Sequence, residues 1–355
     1  MTMLRRLAPF MPLLAVIALS FFIVIAAKGN PIDAYSALFQ GAFGSLQGIA
    51  ETLTQTTVLL FAALGVAIAF RAGLFNIGAE GQLIVGALCT AVAGASLHLP
   101  KMLEVPACFA AGAIGGAFWG LIAGWLKARF GASEVITTIM LNYIAYLGAN
   151  FLVAGPLRGS ASAPETAQVW STAMLSPIIP LTRLTAAFPF AILTAIVLWW
   201  WLHRTVGGFE VRTLGRSERA ARYAGIPVQS VIIRTMALSG ALAGLGGASD
   251  VLGLVHRFNA ELSPGYGFTA IAAALLAQSN PIAAVFTSFF FGALQNGALS
   301  MQALAGVPKD LVSVITGLVI MFVAVNWFGK RVTLHGAPSA DSDDLRDEPA
   351  PEPAT

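Results

Sequence analysis

The sequence predicts an all-α fold, a polytopic transmembrane helical bundle of about ten spans, on three observations. Hydrophobic residues make up 57% of the 355 positions and charged residues only 10%, which is more apolar surface than a water-soluble domain of this length can hide. Mean hydropathy is +0.78. Apolar stretches of about 20 residues, the length a helix needs to cross hydrocarbon, recur along the chain from Phe10 to Phe328.

The expected spans are 8–27, 52–70, 77–97, 105–126, 134–154, 186–202, 229–253, 266–279, 282–303 and 310–328. The first follows Arg5 and Arg6 and outruns a signal-peptide core without a clear cleavage site, so it reads as a retained helix. With that terminus cytoplasmic, the cytoplasmic loops hold 14 of the 20 Lys and Arg residues. That bias predicts that both termini are cytoplasmic. The span 266–279 is short and bounded by Pro264-Gly265 and Asn280-Pro281, which predicts a broken or half-inserted helix of the kind that lines pathways. Two long outer loops, 28–51 and 155–185, offer a platform for an extracytoplasmic partner, and the Ser, Thr and Pro content of the second favours irregular structure. The transmembrane domain is taken as 1–333. The acidic, Pro-rich segment 334–355 buries too little apolar surface to fold and is expected to be a disordered cytoplasmic tail.

Several positions depart from the apolar pattern. Gly112, Gly116, Gly120 and Gly124 share one helix face and predict close backbone packing, within the subunit or at a seam between subunits. Asn76, Glu80 and Gln82 enter an apolar run punctuated by Gly73, Gly78 and Gly81. Such groups in a bilayer must face protein, water or solute, so they either bind a polar solute or hold a neighbouring helix. Thr138, Asn142 and Ala145 form a stripe that lines a pathway or bonds helices together. Gln278, Gln295 and Asn296 add polar candidates further on, and Asp250 is expected near the outer interface. Cys89 and Cys108 sit in apolar segments and read as buried small residues, with neither disulfide nor metal implied. A net charge of +3 with scattered basic residues gives nucleic-acid binding no support.

The largest cytoplasmic loop, 203–230, has Ser217 placed to cap a short Ala-rich helix ending at Gly225, with Pro227 beyond. A short extramembrane helix of this type seats in a groove of another protein. The alternative is a solvated basic loop that merely obeys the charge bias. No phosphate-binding Gly-x-x-x-x-Gly-Lys-Ser/Thr loop occurs, so the chain carries no recognisable nucleotide-hydrolysing site.

The runs Gly73-Leu74-Phe75-Asn76-Ile77-Gly78-Ala79-Glu80-Gly81-Gln82 and Thr137-Thr138-Ile139-Met140-Leu141-Asn142-Tyr143-Ile144-Ala145, with the loop Arg212 to Ile226, give the chain a resemblance to the permeases of bacterial ABC importers. The type is that of ribose and branched-chain amino acid permeases, and the branch that of nucleoside importers. The resemblance implies a non-enzymatic inner-membrane subunit that forms the path for a small polar solute, most simply nucleosides. The polar residues Asn76, Glu80, Gln82, Thr138, Asn142, Gln278 and Gln295 are the path candidates. The resemblance also implies a second, related permease, two cytoplasmic ATPase subunits that bind ATP and Mg, and a substrate-binding lipoprotein or periplasmic protein. The loop would then be the coupling helix that docks on the ATPase, with Arg212, Gly215, Glu218, Ala221, Tyr223, Gly225 and Ile226 as its coupling residues. Inverted halves are implied too, with 76–82 answering to 266–277. Arg216-Ser217-Glu218-Arg219 departs from the Gly-Glu/Asn-Asn-Pro-like stretch of relatives, and the acidic tail lies outside the shared pattern. The competing expectations are a permease for a simple sugar such as ribose and an ion-coupled secondary transporter.

Overall fold

The computed structural model describes residues 30–306, apart from 160–162 and 260, together with residues 21, 22, 24, 25, 314 and 317. The expected spans 310–328 and most of 8–27, and the expected tail 334–355, lie outside the described residues.

The described residues are all-helical, with two isolated β-bridges in place of strands. In chain order the helices are α1 (Pro31–Phe43), α2 (Leu46–Arg71), α3 (Ala79–Ser96), α4 (Lys101–Phe130), α5 (Glu134–Ala154) and α6 (Ala187–Arg204). They continue as α7 (Val206–Arg216), α8 (Glu218–Tyr223), α9 (Val228–Asp250), α10 (Tyr266–Leu276) and α11 (Pro281–Ala305), with a π-helical turn Val251–Val255 extending α9. Seven are long and apolar enough to cross a membrane, namely α2, α3, α4, α5, α6, α9 with its π turn, and α11. The expected short span 266–279 is the 11-residue α10, about 16 Å long at 1.5 Å per residue and too short to cross hydrocarbon, in keeping with the broken or half-inserted helix expected there.

Helix α2 is the axis of the bundle and is buried on every side from Thr56 to Ala69, as expected of a helix apolar all round. Helices α4 and α9 pack against each other through glycine, Gly112 to Gly124 of α4 lying on Ile233 to Ala248 of α9. A methyl group on Gly116 would run into the Gly240 carbonyl and lie 2.8 Å from the Gly244 Cα, and one on Gly120 would meet the Met236 carbonyl. The glycine stripe is therefore a seam within the subunit, not between subunits. Without a hydrophobic drive between helices in lipid, such backbone contact supplies the dispersion energy that holds them. On α5, Ile136, Met140, Tyr143, Ile144, Leu147 and Phe151 are exposed.

Two expected loops contain helices. Within 28–51 lies α1, started by the Asn30 side chain accepting from the Ile32 N–H at 3.0 Å, with Pro31 in the first turn. Within 203–230 lie α7, capped by Thr205, and α8, capped by Ser217. Segment 163–185 is irregular as expected and is tied to the stretch after α9, where Thr166 N–H donates to the Phe258 carbonyl at 2.9 Å and Arg257 pairs with Glu165.

Candidate functional site

The site is built where two helices begin inside the bundle. After Arg71 the chain turns back as coil before α3 starts at Ala79, and after the π turn it runs inward again before α10 starts at Tyr266. The two N-termini meet. Glu80, second residue of α3, is 7% exposed and accepts the N–H of Gly267, second residue of α10, at 2.6 Å. The Ser263 hydroxyl stands beside the same carboxylate. An acid there offsets the partial positive charge of both helix ends. The helices run in opposite directions, since the turn after α10 reaches Arg71 whereas the end of α3 lies by Trp170.

Around this junction the expected polar residues form a knot. The Asn76 amide donates to Gln82 at 2.9 Å and to the Ser239 hydroxyl at 2.8 Å, and Ser239 donates to the Gly65 carbonyl at 2.6 Å. Asn142 accepts from the Gly81 N–H at 2.8 Å and donates to the Ile77 carbonyl at 2.9 Å. The Thr138 hydroxyl accepts from the Ile77 N–H at 3.3 Å and donates to the Glu134 carbonyl at 2.6 Å. Asn76, Gln82, Thr138 and Asn142 are all buried. The broken stretch 72–78 leaves backbone groups without helical partners, and these side chains satisfy them inside the protein, as hydrocarbon requires.

Glu80 and Asn142 also form the floor of a cavity of about 450 Å³ between α3, α5 and the segment entering α10. Its walls carry Tyr143, Tyr146, Asn150, Phe258, Asn259, Ser263 and Phe268. That volume and mixture of aromatic surface with a few amide and hydroxyl groups suit a small polar solute with a flat apolar face. Tyr146 and Asn150 were not among the residues singled out from sequence, although Asn142, Tyr146 and Asn150 fall at intervals of four on α5. Nothing in the sequence brings Asn259, Ser263 and Phe268 to them.

The remaining path candidates lie apart. Gln278 is exposed in the turn after α10 at the basic end of the bundle, with φ of 51°. Gln295 on α11 donates to the Thr269 hydroxyl at 3.3 Å, and its buried oxygen has no partner among the described residues. Asp250 ends α9, but it is 1% exposed and neither oxygen finds a hydrogen bond among the described residues. It is enclosed by protein groups, with Thr185 and Ala187 nearby. His256, just past the π turn, has its pKa lowered below the ordinary 6.5 by burial, with Arg257 beside it adding to the effect. Cys89 and Cys108 are free, and no metal-binding group of three or more side chains occurs among the described residues.

At the basic end the expected short helix is present as α8, where the Ser217 hydroxyl accepts the Ala220 N–H at 3.2 Å. Ala221 is buried against the bundle, Glu218 pairs with Arg222 at 2.7 Å, and Tyr223 is 93% exposed. Gly225 follows with φ of 75°, a conformation that favours glycine.

Residues 48–324 match the family described as branched-chain amino acid transport system / permease component. The chain belongs to this family. It is 36% identical to the guanosine ABC transporter permease protein NupP of Bacillus subtilis over 92% of this chain and 96% of the relative. It is 35% identical to the glucose ABC transporter permease protein TsgB13 of Haloferax volcanii, covering 91% and 88%, and 34% identical to the nucleoside ABC transporter permease protein NupB of Lactococcus lactis, covering 89% and 90%. The protein is thus a multi-pass membrane permease subunit of the ABC type and not an enzyme.

Proposed function

We propose that this permease imports nucleosides through the cavity above Glu80. The observation that carries the reading is the 450 Å³ space walled by Tyr143, Tyr146, Phe258 and Phe268 with Asn150, Asn259 and Ser263 among them. Aromatic faces stack a nucleobase while amides and hydroxyls bond its edge and the ribose. In this reading Glu80 and Asn142 touch solute, whereas Asn76, Gln82 and Thr138 hold the broken helix in shape. The likeness to permeases named for guanosine and nucleosides supports it. The TsgB13 likeness supports a sugar as the second reading.

The assembly we propose has a second, related permease, two cytoplasmic ATPase subunits that bind ATP and Mg, and a lipoprotein or periplasmic binding protein, in a bacterial inner membrane with both termini cytoplasmic. Bacillus subtilis has a second matching chain under the guanosine name, NupQ, 26% identical to this one, which favours two different permeases. The exposed α8, with Tyr223 at its tip, fits a groove on the ATPase. The test is uptake of labelled guanosine, glucose, ribose and leucine in cells carrying or lacking the gene with its native partners. Loss of nucleoside uptake alone is expected. Intact nucleoside uptake with loss of glucose or ribose would transfer the cavity to a sugar.

A further inference from the structure

Helix α10 is held at both ends by one short segment of chain. At its start, Glu80 accepts the Gly267 N–H at 2.6 Å. Just past its end, the Arg71 Nε donates to the Ser279 carbonyl at 2.8 Å. The Ser279 and Gln278 backbones have φ of 55° and 51°, a left-handed pair that non-glycine residues keep only where their surroundings hold them. Arg71 and Glu80 flank the coil 72–78, which the Asn76 bond to Ser239 and the Asn142 bond to Ile77 fix to α9 and α5.

The same segment lies directly on α7. Gly215 abuts the Arg71 carbonyl so closely that a methyl group there would collide with the oxygen and lie 2.8 Å from the carbonyl carbon. A methyl group on Gly73 would in turn lie 3.3 Å from the Gly215 Cα. Close-packed contacts of this kind pass displacement on without slack. Helix α10, for its part, presents Phe268 to the solute cavity.

We propose that Arg71 and Glu80 are positioning residues that carry movement of α7 and α8 to α10, and so open or close the cavity. The inference rests on the reading that α8 docks on an ATPase. An element whose two ends are gripped by residues nine apart, on a coil seated against α7, cannot stay still when α7 moves. Arg71 sets the end of α10 nearest the ATPase, and Glu80 sets the end beside the solute.

The experiment uses the full importer in proteoliposomes, with ATP hydrolysis and solute uptake measured on the same preparation. Arg71→Met is expected to keep ATP hydrolysis within about twofold while uptake per ATP falls at least tenfold. Arg71→Lys, which retains a donor for the Ser279 carbonyl, is expected to recover most of that ratio. Arg129→Met, at an exposed position at the end of α4, is expected to leave it unchanged. Hydrolysis and uptake falling in proportion, or an unchanged ratio in Arg71→Met, would overturn the proposal. A spin label on Gln278→Cys in the otherwise unaltered chain gives a reading that does not depend on the Arg71 variants folding. Its distance to a fixed label on α2 must change between nucleotide-free and ATP-trapped states, and no change overturns the proposal. An unaltered complex whose ATP hydrolysis does not drive uptake would instead defeat the docking reading beneath it.

Discussion

Replacing Glu80 separates its charge from its hydrogen bond. Glu80→Gln keeps an oxygen for the Gly267 N–H, now 2.6 Å from the carboxylate, but removes the negative charge that faces the first turns of α3 and α10. A charge at a helix N-terminus contributes about 0.3–1 kcal/mol, and up to about 2 where partly buried, so two termini give a loss of about 1–3 kcal/mol. Glu80→Leu also strands a buried N–H, which costs about 1–3 kcal/mol more. At about 2–4 °C per kcal/mol for chains of this order, the Gln variant should unfold about 2–12 °C below the parent and the Leu variant about 4–24 °C below. The assay is thermal unfolding of the detergent-solubilised permease, followed by loss of the monodisperse peak on size exclusion. Equal shifts in the two variants would show that the charge contributes nothing, and no shift in either would refute the junction itself.

The glycine seam gives a second expectation. Gly116→Val places methyl groups against the Gly240 carbonyl and the Gly244 Cα, and overpacking on this scale costs about 1–3 kcal/mol or more, so folded yield should collapse relative to Gly148→Ala, whose site has nothing within 4 Å. Asp250→Asn should raise the unfolding temperature, or leave it unchanged, at pH 8, because it replaces a buried carboxylate without a described partner. A large drop in that measurement would reveal a partner for the acid. His256, neutral in the fold because burial lowers its pKa below 6.5, binds its proton more readily when unfolded. Stability should therefore fall as pH drops below that value, and His256→Phe should flatten this limb of a pH titration. Tyr223→Asp, at a 93% exposed tip, should leave the permease inserted while abolishing solute-stimulated ATP hydrolysis, and unchanged hydrolysis would argue against docking through α8.

The spans were legible because hydrocarbon imposes one requirement, a run of apolar residues of sufficient length, and 134–154 was placed to the residue at both ends. The seam of Gly112, Gly116, Gly120 and Gly124 was legible in the same way, since a four-residue period puts small residues on one helix face. Helices α1 and α7 were missed because they are not spans. Their signals were caps, Asn30 with Pro31 and Thr205, within stretches already assigned to loops by hydropathy. The polar knot could be anticipated as a set of residues, but not as partners of one another, because Ser239 lies 163 residues from Asn76. Glu80 was singled out by its charge. Its contact with Gly267 depends on α10 starting inside the bundle, which the bounding prolines and glycines only hinted at. The cavity was hidden for a related reason, since Asn259, Ser263 and Phe268 come from a segment whose inward course no periodicity records.

In the proposed importer this chain offers a nucleoside a path that ATP drives from outside the chain. The most direct measurement is uptake of labelled guanosine into proteoliposomes holding the permease with its partner permease, ATPases and binding protein, with ATP enclosed or with only a proton or sodium gradient imposed. Uptake is expected to require ATP and the binding protein and to ignore either gradient. Uptake driven by a gradient without nucleotide would show an ion-coupled transporter instead.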